Sequence, residues 1–289
     1  MDVRELGREG LVSSAIGLGT AAFTGIYGAA SRRDCMRVVD VALESGITLL
    51  DSADFYADGD IERLLGMSVG ARRPRVLLCT HGGLRTARDG SPPVVDGHPE
   101  YLAAACEASL RRLGTDYIDL YHLSQVDPQV PVEESVGKLA ELVAAGKIRY
   151  IGLYKASADD LRRAAAVHRI SALAVDYSLR NRAAEKGILA TAAEMGMGVV
   201  AYCPLAQGRL SCGDPPASAQ ERQSLHTLEA EAAGLDIGMA RLALAWLCRR
   251  NVIPTPSSRN AAHIEMDASA AGIRLSSDVC SRLEDAFPP

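Results

Sequence analysis

The side chains best suited to chemistry are a carboxylate, a phenol and an imidazole set at the ends of two short apolar runs. Leu49-Leu50-Asp51-Ser-Ala-Asp54-Phe-Tyr56 carries Asp51 at the end of one run and Tyr56 five residues later, and Val76–Thr80 is followed at once by His81. A histidine whose unperturbed pKa lies near the operating pH can take up and return a proton. The chemistry these residues predict is therefore proton transfer, with Tyr56 and His81 as the acid/base pair and Asp51 orienting and polarising them. Ser124, which follows the run Tyr117–Leu123, joins the catalytic candidates. A Ser-His-Asp hydrolase built from Ser124, His81 and Asp51 lacks the strained nucleophile elbow that such chemistry uses. Tyr154, Lys155, Tyr202, Cys203 and His122 sit at or near the ends of other runs and are candidate substrate-binding residues. His98, His168, His226 and His263 lie apart without ligand spacing, so no metal centre is expected.

The elements that must position these groups alternate along the whole chain. Strands are predicted at Ala15–Gly19, Ile47–Asp51, Val76–Thr80, Tyr117–Leu123, Ile148–Leu153, Ala172–Asp176, Gly198–Tyr202 and Val252–Thr255. Amphipathic helices are predicted between them, at Arg32–Glu44, Ile61–Met67, Pro99–Leu113, Val132–Ala145, Ala158–His168, Ala183–Met195, Gly238–Arg250 and Ala261–Ala271, with extra helices near Gln223–Ala233 and Ser276–Ala286. Ser31 and Ser157 stand at N-cap positions, and Gly46, Gly114, Gly146 and Gly196 close helices. Eight β-α repeats predict an α/β protein of the (β/α)8 TIM-barrel type, with an N-terminal hairpin around Gly7–Gly10 and extra C-terminal helices. A doubly wound open sheet is the alternative. No linker divides residues 1–289, so one domain is expected, with exposed loops at Gly90–Gly97 and Ser211–Gln220. In a barrel, chemistry collects where strands end, and there the candidate residues lie.

Several segments then carry a family resemblance. Gly-Leu-Gly-Thr-Ala (17–21), the Asp51–Tyr56 run, Ser-Leu-Arg-Arg-Leu-Gly-Thr-Asp-Tyr-Ile-Asp-Leu-Tyr (109–121), Val-Asp-Pro (126–128), Gly-Lys-Ile-Arg-Tyr-Ile-Gly (146–152), Tyr-Ser-Leu-Arg-Asn-Arg (177–182), Ala-Tyr-Cys-Pro-Leu (201–205) and Ala-Leu-Ala-Trp-Leu (243–247) resemble aldo-keto reductase segments in family order. The resemblance implies the same barrel, with NADPH passing hydride to a carbonyl while a tyrosine, tuned by lysine, histidine and aspartate, gives the proton. Asp51 and Tyr56 match that set. His81 stands for the lysine and Ser124 for the histidine. Tyr154-Lys155 replaces a Ser-Asn pair, Ala174 a glutamine and Cys203 a serine, while Tyr202 keeps the aromatic that stacks on nicotinamide. At the phosphate end Ser257 stands for a cation, His263 for an arginine and Asp267 for an asparagine; Ser258 and Arg259 lie beside them, and Asp214 lies in the loop that would cover the pyrophosphate. Charge-assisted donors are the strongest contacts a phosphate site has.

These replacements lead to the expectation of a repurposed barrel with no cofactor, in which Ser257, Ser258, Arg259, His263 and Asp267 are vestigial. Redox-neutral acid/base chemistry on a small organic substrate (cyclisation, dehydration or isomerisation) is the first reading. An NADPH-dependent carbonyl oxidoreductase with a substituted tetrad is the alternative, and a non-catalytic binding barrel is a third reading. Composition agrees with a globular enzyme: 289 residues, 48% hydrophobic and 23% charged. A net charge of −5 argues against nucleic acid or an anionic membrane as partner. Seven scattered cysteines without C-x-x-C pairing suit a reduced compartment, and Asp2, Arg4, Glu5, Arg8 and Glu9 interrupt any signal-like apolar run. A soluble, cytoplasmic protein of open oligomeric state is expected.

Overall fold

In the computed structural model, residues 1–86, 92–211 and 216–289 are described. Asp214 and parts of the two loops expected at Gly90–Gly97 and Ser211–Gln220 lie outside them. The chain opens on an antiparallel hairpin, β1 (Val3–Glu5) and β2 (Val12–Ser14), joined through Gly7 and Gly10 in left-handed conformations. Eight parallel strands follow: β3 (Leu18–Gly19), β4 (Leu49–Asp51), β5 (Leu77–Gly82), β8 (Ile118–Leu123), β9 (Ile148–Tyr154), β10 (Ala172–Asp176), β11 (Gly198–Tyr202) and β12 (Val252–Pro254). Each hydrogen-bonds to the next in that order. Gly17 N–H donates to Pro254 O and Gly19 N–H to Pro256 O, both at 2.9 Å, which brings the first strand against the last and closes the ring. The predicted (β/α)8 barrel is the architecture observed.

The helices α1 (Arg32–Glu44), α2 (Asp60–Val69), α3 (Pro99–Leu113), α4 (Val132–Ala144), α5 (Ala158–Val167), α6 (Ile188–Glu194), α7 (Ala219–Gly234), α8 (Met239–Arg249), α9 (Ala261–Ser269) and α10 (Ser277–Ala286) surround it. Ser31 caps α1 through Asp34 N–H, and Ser157 forms a full capping box with Asp160 at α5. Pro99 occupies the first turn of α3, where its missing N–H has no intrahelical partner to lose. The helix expected at Ala183–Met195 is divided. Gly187, at φ 138°, separates a short 3-10 turn, Ala183–Lys186, from α6. A second hairpin, β6 (Leu84–Arg85) with β7 (Val94–Val95), was not expected, and Asp96 and Gly97 beyond it are buried, so that end of the predicted exposed loop is corrected. No helix among the described residues is long and apolar enough to cross a membrane.

The barrel interior is layered by strand alternation, with residues two apart facing the same side. Leu49, Cys79, Leu120, Ala172, Ala174, Val200 and Ile253 form a buried apolar cluster. His122 lies above Gly152 on the neighbouring strand. A Cβ on Gly152 would stand 2.2 Å from His122 Cδ2, so only glycine makes room for that imidazole.

Candidate active site

The mouth of the barrel is where the backbone is most strained. Eight described non-glycine residues have positive φ; six of them, Ala57, Asp58, Lys155, Cys203, Ala206 and Gln207, lie in the loops after β4, β9 and β11. Such residues cost about 1 kcal/mol or more each and gather where a site needs its loops held.

A cavity of about 880 Å³ runs across this face. At one end it is lined by Asp51, Tyr56, Tyr154, Tyr202 and Cys203, and at the other by Ser257, Ser258, Arg259, His263 and Asp267. Ten of the sequence candidates therefore line one continuous space. Asp51 terminates β4, where burial pushes its carboxyl up to about 7, and its Oδ1 has no hydrogen-bond partner among the described residues. Tyr56 is carried on the short turn after β4. Burial, and then the neighbouring Asp51 charge, push its phenol well above the ordinary value.

His81 lies behind this lining. It is buried, and burial holds its pKa down at about 3, so it is neutral; His122 and Lys155 add a smaller effect in the same direction. Its Nδ1 shares a 2.8 Å hydrogen bond with Ser124 Oγ. The two replacements read from the sequence thus touch each other, and both are withdrawn from the cavity. Between His81 and the cavity stands Tyr154, stacked on His81 at 4.9 Å and on Tyr202 at 4.4 Å with interplanar angles of 19° and 11°. The three rings form one pile across the mouth, and Tyr154 covers a face of Tyr202.

His122 and Lys155 lie outside the cavity lining, and for them the expectation of direct substrate contact is corrected. His122 is buried inside the barrel, its Nδ1 hydrogen-bonded to Cys79 Sγ at 3.2 Å. Lys155, at φ 52°, is exposed to solvent.

At the far end of the cavity Ser257 Oγ accepts from Ala22 N–H at 2.8 Å, and Ser258 Oγ lies 3.2 Å from His263 Nδ1. Arg259 donates to Ala29 O at 2.6 Å. Asp267 is buried, and burial pushes its carboxyl up to about 7. Sequence reasoning missed Arg241, on α8, which also lines the cavity; its Nε is buried with no partner among the described residues. Its flanks, Ala240 and Leu242, gave no signal, because one arginine on an amphipathic helix reads as a solvated face. Gln207 and Gly208, on the strained loop after β11, line the cavity as well.

Residues 15–287 match the model of the aldo/keto reductase family. Among solved structures, a holo-form aldo-keto reductase of Bacillus halodurans is 26% identical, with a TM-score of 0.89 over 99% of this chain and 96% of that one. An aldo/keto reductase of Klebsiella pneumoniae, in complex with NADP and acetate, is 30% identical, with a TM-score of 0.83 over 99% and 95%. A glycerol dehydrogenase of Gluconobacter oxydans, 23% identical with a TM-score of 0.89 over 98% and 94%, shares the fold.

Proposed function

The chain belongs to the aldo/keto reductase family, and from that premise we propose that it is an NADP(H)-dependent oxidoreductase acting on the carbonyl of a small organic molecule. The sequence reading placed redox-neutral chemistry first and this one second. The relatives solved in a holo form and with NADP reverse that order.

The observation that carries the proposal is the continuous cavity joining Asp51 and Tyr56 to Ser257–Asp267. Its volume of about 880 Å³ falls within the roughly 300–1,000 Å³ of small-molecule and cofactor sites. Its polar groups fit a dinucleotide. Arg241 brings an unpartnered buried Nε, and Arg259, Ser258 and Asn260 line the same end, which is the donor set an anionic phosphate calls for. Those residues would hold the phosphates, and Tyr202 would flank the nicotinamide. When bound, the dinucleotide supplies hydride to the carbonyl carbon.

Tyr56 then gives its phenolic proton to the carbonyl oxygen. Neutral His81 supplies no positive field to lower the Tyr56 pKa, and burial raises it, so Tyr56 is a weak acid and proton transfer is slow for this fold. Asp51 holds a charge or a proton at the cavity floor beside Tyr56 and orients it.

One observation favours a second reading. Tyr154 packs on the Tyr202 face that a nicotinamide ring would use. With Tyr154 fixed there, the same Tyr56 and Asp51 would serve proton transfer on an aromatic or planar substrate without a dinucleotide. NADPH oxidation with short aldehydes and ketones distinguishes the two. Turnover that falls at least about 10²-fold in Tyr56→Phe supports the oxidoreductase with Tyr56 as proton donor. Equal turnover in wild type and variant would remove Tyr56 from the chemistry.

A further inference from the structure

Beneath the cavity, three side chains of different chemistry converge inside the barrel. Asp51 ends β4, Cys79 lies on β5 opposite it in register, and His122 lies on β8. A carboxylate oxygen, the Cys79 sulfur and a His122 ring nitrogen all lie within 4.8 Å of one another. Cys79 and His122 are buried and Asp51 borders the cavity. The expectation from sequence was that no metal binds.

We propose that Asp51, Cys79 and His122 form a binding site for one divalent transition-metal ion, with zinc the preferred ion. Three protein ligands of this kind, with a fourth position left to water or substrate, are the pattern of zinc sites that stay open to a cavity. The open position faces the side that Asp51 shares with the cavity. Thiolate and imidazole select zinc over magnesium or calcium, which take oxygen ligands. For the sulfur and nitrogen donors the geometry is close to what zinc requires. Bonds of about 2.3 Å to sulfur and about 2.0–2.1 Å to nitrogen, at a tetrahedral angle, separate the two donors by about 3.5 Å. Sγ and Nδ1 are 3.2 Å apart, so a few tenths of an ångström of opening admits the ion.

The polar surroundings support the assignment. Asp51 Oδ1 is buried without a hydrogen-bond partner among the described residues, and the carboxyl faces the Cys79 thiol, the neighbouring donor of the proposed site. Gly152 clears the space that lets His122 lie inside the barrel rather than an apolar side chain. A packed core has no need of an Asp, a Cys and a His side by side, and burying them as uncharged groups leaves polar atoms unmatched.

A second group, Asp96, His98 and Asp127, also brings three donors together. There every carboxylate oxygen already has a partner: Asp96 binds Arg85 and His98, and Asp127 accepts from Gly97 N–H at 2.9 Å and Gln129 N–H at 2.8 Å. That group braces a loop and serves as the internal control.

The test is elemental analysis of untagged protein dialysed against metal-free buffer, followed by cobalt(II) titration of the same protein read by absorbance. The proposal expects about one zinc per chain as isolated, or stoichiometric uptake on titration, and a near-ultraviolet thiolate-to-cobalt band. Cys79→Ser and His122→Asn should abolish the band, and Asp51→Asn should weaken binding about 10- to 100-fold. His98→Asn should change nothing. Should a core variant misfold, the cobalt titration of wild type decides alone. A folded wild type that takes up neither ion, or metal retained in both Cys79→Ser and His122→Asn, would overturn the proposal. Metal content is read without NADPH, so its failure leaves the oxidoreductase reading standing, and the reverse also holds.

Discussion

The two ends of the barrel treat their buried carboxylates in opposite ways. At the end where strands begin, Asp119 is almost fully buried, yet it accepts from Leu78 N–H at 3.0 Å and pairs with Arg73 at 2.7 Å and Arg149 at 3.3 Å. Both guanidiniums also lie over the Tyr117 ring, 4.0 and 3.9 Å from its centre. At the end where strands finish, Asp51 Oδ1, Asp54 Oδ1, Tyr121 Oη and His122 Nε2 are buried without a partner among the described residues. Buried polar groups are ordinarily hydrogen-bonded, and although Ser68 Oγ and Arg250 Nε are unmatched elsewhere, the concentration of unmatched groups at the mouth marks where stability has been exchanged for chemistry. The base of the barrel is a brace and its mouth is a site.

Breaking the brace should have the largest effect. Asp119→Ala leaves Arg73 without its buried partner and should destabilise the fold by about 3–5 kcal/mol, measured by urea unfolding at neutral pH. A loss below about 1 kcal/mol would show that the base is not held by this pair.

At the mouth a substitution should stabilise instead. Asp267 is a buried carboxyl whose pKa stands at about 7 in the fold against the ordinary 3.8 of a solvated aspartate. The folded state holds that proton more tightly than the unfolded chain, so stability is greatest at low pH and falls as pH rises from about 4 through 7. Asp267→Asn should remove this dependence, adding on the order of 2–4 kcal/mol at pH 8 and almost nothing at pH 4. Equal stability of the two proteins at both pH values would contradict it.

The smallest effect sharpens the contrast within the mouth itself. Tyr154→Ser removes the ring that covers Tyr202 and breaks two stacked contacts of about 0.5–1.5 kcal/mol each. NADPH should then bind about tenfold more tightly, because those contacts no longer have to be broken first. Unchanged or weaker binding in a folded variant would mean that Tyr154 does not compete with the nicotinamide.

Much of this was legible in the sequence, for reasons that differ by residue. The barrel was readable because alternation of apolar runs and amphipathic segments is a local signal, and eight repeats allow few architectures. Asp51 and Tyr56 were readable because barrel chemistry lies at strand ends, and Tyr202 and the segment from Ser257 to Asp267 because they align with aldo-keto reductase segments. The pile formed by His81, Tyr154 and Tyr202 was not, since its members come from β5, β9 and β11 and meet only when the ring closes. Cys79 was given no role, and His122 was taken as a substrate-binding candidate rather than as a partner of Cys79, for the same reason. A signal was present nonetheless: Cys79 and His81 share one side of β5, and register with β8 brings His122 beside them. The division of Ala183–Met195 was hidden because Gly187 inside an amphipathic pattern reads as tolerated.

The central claim is that the cavity between Tyr56 and Asp267 holds a nicotinamide dinucleotide. Calorimetric titration of cofactor-stripped protein with NADPH and NADH tests it directly. The account predicts saturable one-to-one binding of NADPH in the micromolar range; no heat of binding up to millimolar NADPH or NADH would contradict it and leave the redox-neutral reading in its place.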